Sequence, residues 1–86
     1  MLYTADELQQ TLRADLLPDF EAISQADSVE NALYASGVLA GRLLELDRLG
    51  VLQKGQRQAW LADAADAVSA RRKVLDDVRL YTITSI

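Results

Sequence analysis

The groups able to do chemistry in this chain are carboxylates. Of 86 residues, 13 are Asp or Glu, while His and Cys are both absent. Their absence removes thiol nucleophiles, imidazole bases, disulfides and the common zinc sites together. The remaining candidates for acid–base or Mg²⁺ chemistry are Asp63 with Asp66, three residues apart, and the adjacent Asp76 and Asp77. Such chemistry needs a concave, partly desolvated site. On a helix these four project outward, beside Ala62, Ser69 and Lys73, where water covers them. No serine has a histidine base, and no glycine-rich phosphate loop is present. The expectation is a protein that binds rather than catalyses, with no catalytic residue, no metal ligand set and no cofactor.

Charge says what it would bind. Nine bases against 13 acids give −4 overall. Seven of the acids and only one base, Arg13, fall in residues 1–40, so that stretch carries −6 and residues 41–86 carry +2. Direct contact with nucleic acid is disfavoured by this balance. A protein partner with a basic surface is the complementary expectation, met by Asp15, Asp19, Glu21, Asp27 and Glu30. Arg71-Arg72-Lys73 is a short basic cluster, but Asp76 and Asp77 lie one turn on and pair with Arg72 and Lys73 at i,i+4. Two charges project onto apolar faces and need partners, because burying a lone charge is costly. Asp47 falls opposite about Arg57 in an antiparallel hairpin. Arg71 falls opposite Tyr34, within reach of Asp15 or another acid of the first helix.

A second candidate surface is apolar. Gly37 and Gly41 lie one helical turn apart, with Tyr34 and Val38 on the same side. Each glycine inside a helix costs up to about 1 kcal/mol relative to Ala. Some packing gain should offset that cost. One reading is close approach of another helix of this chain. The other is a shallow patch, Tyr34, Gly37, Val38 and Gly41, where a partner backbone or a second copy docks.

The elements that must position these residues are helices. Fifteen Leu, 13 Ala, one Pro and five aromatics favour helix over sheet. Thr4-Ala5-Asp6-Glu7 reads as a capping box. Ala5, Leu8, Leu12 and Leu16 then form an apolar stripe, and Pro18 ends the helix near Leu17. Asp19–Gln25 reads as a short extra segment carrying Phe20 and Ile23 inward. A second cap signal at Asp27, in Asp27-Ser28-Val29-Glu30, opens a broad apolar helix over 28–49, whose wide inward face carries Val29, Ala32, Leu33, Ser36, Leu39, Ala40, Leu43, Leu44 and Leu46, and which Gly50 closes in a Schellman turn with Val51 returning to Leu46. After the Val51–Gly55 connector, a third helix runs over about 56–79, with Trp60, Leu61, Ala64, Ala67, Val68, Val74, Leu75 and Val78 inward. Residues 80–86, with the alternating Tyr81-Thr82-Ile83-Thr84, read as an extended tail.

Together these predict one all-α domain spanning residues 1–86, a small antiparallel bundle of three main helices over 5–17, 28–49 and 56–79 with a C-terminal tail. A chain of this mass exposes roughly 5,000 Å² when folded, which leaves room for one core and no large enclosed pocket. No apolar run reaches the ~18 residues of a membrane span, and Asp6 and Glu7 interrupt any signal peptide. A cytoplasmic setting, away from membranes, is expected.

The run Gly41-Arg-Leu-Leu-Glu-Leu-Asp-Arg-Leu-Gly50-Val-Leu, followed by Gln56-Arg-Gln-Ala-Trp-Leu-Ala-Asp, resembles the helical hairpins of short phage- and plasmid-encoded proteins, in which a Leu-rich helix ends in Leu-Gly-aliphatic and a second helix starts within a few residues. Some of these resemble anti-CRISPR and other anti-defence inhibitors. The resemblance implies stoichiometric inhibition of a host nucleic-acid defence complex through the acidic surface. It carries no site residue across. The alternative is a homodimeric structural or regulatory module with an apolar interface.

Overall fold

The computed structural model describes residues 4–84. Three helices follow in order: α1 (Ala5–Ser24), α2 (Val29–Arg48) and α3 (Gln56–Thr84). Each packs on the other two, and there is no strand among the described residues. None of the described helices is long and apolar enough to cross a membrane.

Caps set the first two starts. The Thr4 hydroxyl accepts from the Glu7 amide at 3.2 Å, and Ser28 accepts from the Asn31 amide at 3.0 Å. Asp27, the cap expected from the sequence, stands one residue outside that position, where its carboxylate accepts from the Asn31 side-chain amide. At the end of α2, the Gly50 amide donates to the Asp47 carbonyl and the Val51 amide to the Leu46 carbonyl. That is the predicted Schellman pairing, and Gly50 takes the left-handed φ of 74° that it needs. Gly55, at φ 79°, then turns the chain into α3.

Two boundaries differ from the sequence-based expectation by more than one residue. Helix α1 does not stop at Leu17 but continues through Pro18 to Ser24. The ring removes the amide that would bond the Ala14 carbonyl, at a cost of about 3 kcal/mol in a helix interior. Ala14, Leu17 and Pro18 are all exposed, so water reaches that carbonyl. Leu16, Phe20 and Ile23 share one stripe across the proline, and fully burying a side chain such as Ile23 returns about 1.5–3 kcal/mol. The separate segment after Pro18 is therefore the second half of α1.

The second difference is the tail. The backbone is helical through Thr84, over most of the stretch read as extended. Adding β-branched residues to a formed helix costs only tenths of a kcal/mol each, whereas starting one is hard. Ser85 and Ile86, the end of that predicted tail, lie outside the described residues.

The core is small and tightly closed. Leu16, Ile23, Leu39 and Leu43 are its largest fully buried side chains, with Ala26, Ala32 and Ala64 letting the helices approach. Leu12 is buried toward the start of α1. Phe20, Leu46, Trp60, Leu61, Ala67 and Val68 pack around this centre, partly buried. Trp60 is thus at the edge of the core rather than inside it. Val74 and Val78 are exposed, not inward as the periodicity suggested. Arg71 already reaches Ala26, at the far end of α1, so α3 has passed the α1–α2 loop by the time it reaches these valines.

Candidate functional site

The predicted acidic face does not form one row. Asp15 and Asp19 lie one turn apart on α1, on the side toward α2. Asp19 is taken by Arg42 of α2 in an ion pair and is only slightly exposed. Glu21 follows Asp19 by two residues, a rotation of about 200°, and points elsewhere. Asp27 sits in the loop and is held by Asn31. Glu30 is exposed in the first turn of α2. The structure brings Asp19 and Asp27 together along one shallow groove and leaves Asp15, Glu21 and Glu30 apart.

That groove, of about 510 Å³, runs between the second half of α1 and the first half of α2. Asp19, Ala22, Gln25 and Asp27 line one side, and Tyr34 and Val38 the other. Tyr34 and Val38 thus join both predicted surfaces. A second shallow groove of about 460 Å³ lies between α1 and α3, lined by Arg13, Leu17, Phe20, Trp60 and Asp63.

The apolar patch is larger than the sequence reading made it. At 100° per residue, the side of α2 opposite Leu39 carries Leu33, Tyr34, Gly37, Ala40, Gly41 and Leu44, with Val38 at its edge. Leu33 is 51 % exposed, Tyr34 75 %, Val38 42 % and Leu44 39 %. A Cβ placed on Gly37 or Gly41 would meet nothing within 4 Å. Close packing of α1 or α3 therefore does not account for these glycines. Helix α2 is apolar nearly all round over its middle, yet only one side of it is covered by its own chain. Leu33 and Leu44 were visible in the sequence as apolar positions, but periodicity assigned them to the buried face.

The two charges on apolar faces find different kinds of partner. Asp47 pairs with Arg57 at 3.1 Å, as the hairpin geometry predicts. Arg71 does not meet an acid. Its Nε donates to the Ala26 carbonyl at 2.6 Å, just past the end of α1. Helix α1 has no basic residue in its own last turn, and Arg71 supplies a positive charge there from α3. A side-chain contact missed from sequence joins Gln9 and Gln56, whose amides bond each other, while Gln56 also accepts from the Gln53 amide at 2.9 Å. It ties the start of α3 to the first turns of α1.

Among the described residues, no three acidic side chains come together as a metal-ligating group. Comparison with family models, curated proteins and solved structures finds no match to this chain.

Proposed function

We propose that this chain is a non-catalytic protein-binding module acting in the cytoplasm through the outer face of α2. The observation that carries this reading is the exposed strip Leu33, Tyr34, Val38 and Leu44 around two uncovered glycines. Single exposed apolar residues are ordinary, but a contiguous group on one helix is the usual mark of an interaction surface. Flat, glycine-floored surfaces suit a partner helix or backbone better than a small molecule.

The test is a pair of surface variants, Val38→Asp and Tyr34→Glu, compared with the parent chain as tagged bait in cross-linking capture. Both positions are outside the core, so helical circular dichroism should be retained. Loss of the captured partner in both variants supports the reading, and undiminished capture rejects it.

A second reading keeps the acidic surface: a stoichiometric, anti-CRISPR-like inhibitor that presents carboxylates to a basic site of a host defence complex. Its support is the −6 charge over residues 1–40, of which Asp15, Glu21, Asp27 and Glu30 are exposed. The ion pair between Asp19 and Arg42 weakens it by neutralising one of the five acids it would use.

A further inference from the structure

We propose that the partner on the outer face of α2 is a second copy of this chain, packed antiparallel about a two-fold axis passing between Gly37 and Gly41. The proposal rests on the reading of that face as the binding surface and names its occupant. The argument is charge complementarity. Glu30 and Arg48 bracket the apolar strip and lie 18 residues apart, which is about five full turns, so both point out along the same line as the glycines. Both are exposed, and neither has an ion-pair partner among the described residues.

The midpoint of Glu30 and Arg48 is position 39, which is also the midpoint of Gly37 and Gly41. An antiparallel pairing centred there sets Glu30 of each copy against Arg48 of the other. It also sets Gly37 near Gly41, Leu33 near Leu44, and Tyr34 beside Glu45. A two-fold interface must be self-complementary in this way. The parallel arrangement would instead set Glu30 on Glu30 and Arg48 on Arg48, which like-charge repulsion disfavours. The glycines let the backbones approach, and a shallow crossing of about 20° keeps the ends within reach of each other. The strip is only about 27 Å long and 10 Å wide. An interface of that size belongs to the weak class, with dissociation constants of roughly 10 µM or above.

Glu30 and Arg48 also suit the dipole of their own helix, so a test must separate the two roles. Sedimentation equilibrium of the full chain, from about 1 µM to 1 mM at low salt, should show reversible monomer–dimer exchange. Gly41→Leu should be monomeric throughout, with helicity intact, because nothing in its own chain opposes the new side chain. Glu30→Lys alone and Arg48→Glu alone should each weaken the dimer about fivefold to tenfold. An equimolar mixture of those two variants should recover parental affinity, since in the mixed dimer every pair is again of opposite sign. A helix-dipole role predicts no recovery on mixing.

A parent chain that stays monomeric to the highest concentration overturns the proposal. So does a dimer indifferent to Gly41→Leu, or a mixture that fails to recover. If the parent is monomeric but Val38→Asp still abolishes capture of a different protein, the second copy is rejected while the binding face stands.

Discussion

Arg71 shows what a single residue does in so small a bundle. Its Nε satisfies the Ala26 carbonyl from another helix, in a partly buried setting. Removing the donor leaves that carbonyl without a protein partner, which costs about 1–3 kcal/mol. Arg71→Ala should therefore lower the urea midpoint, with a fall in Tm of roughly 4–8 °C per kcal/mol for a domain of this size. Arg71→Lys keeps a positive charge near the end of α1 and should lose less. An Arg71→Ala chain as stable as its parent would show that water replaces the contact without loss. Pro18 predicts the opposite sign. Pro18→Ala restores an amide facing the Ala14 carbonyl, and part of the gain is cancelled by a more flexible unfolded chain. A net gain of about 1–2 kcal/mol in equilibrium denaturation is expected. No gain would mean that α1 bends around the proline without cost.

At the scale of elements, α2 is the helix on which everything turns. Leu39 and Leu43 fill the core from one side, while Gly37 and Gly41 lie open on the other. Leu39→Ala should cost about 2–5 kcal/mol, read as loss of cooperative thermal unfolding at an accessible temperature. Gly37→Ala and Gly41→Ala should each stabilise the dilute chain by about 0.5–1 kcal/mol, because Ala is the better helix former and nothing crowds it. These opposite signs on one helix separate its folding face from its outer face.

Helix existence was largely legible in the sequence: the cap at Thr4 and the Gly50 turn are local chemistry and read directly, while the cap of α2 was read one residue early, at Asp27 rather than Ser28. The Asp47–Arg57 pair followed from hairpin register. What could not be read was tertiary. Pro18 is a breaker by local rule, and only the burial of Phe20 and Ile23 on the same stripe as Leu16 carries the helix through it. Arg71 was assigned an acid because a backbone carbonyl leaves no mark in a sequence. Leu33 and Leu44 were assigned to the core because an apolar pattern does not say which of two apolar sides a neighbour covers. The engagement of Asp19 escaped the sequence for a similar reason, since Arg42 could not be placed beside it before the helices were docked.

For the whole molecule, exposed area and charge point to different kinds of partner. The exposed Leu33, Tyr34, Val38 and Leu44 on the outer face of α2 favour an apolar interface, whereas the −6 of residues 1–40 favours a basic partner. Salt dependence separates them. Binding through the acidic surface should weaken steeply as ionic strength rises, and charge reversal there should slow association more than it speeds dissociation. The informative reversal is Asp15→Lys with Glu21→Lys, because changing Asp19 would also break its ion pair with Arg42 and confuse binding with folding. Both positions are exposed, so the helical spectrum should be unchanged. On the apolar reading, moving a captured complex from about 0.05 to 0.5 M salt should alter its affinity less than threefold, a change of under about 0.7 kcal/mol. The double reversal should then be tolerated, while Val38→Asp should abolish binding. A steep salt dependence together with a slowed association in the double reversal would transfer the function from α2 to the acidic surface. It would also make the uncovered glycines a feature of the chain's own pairing alone.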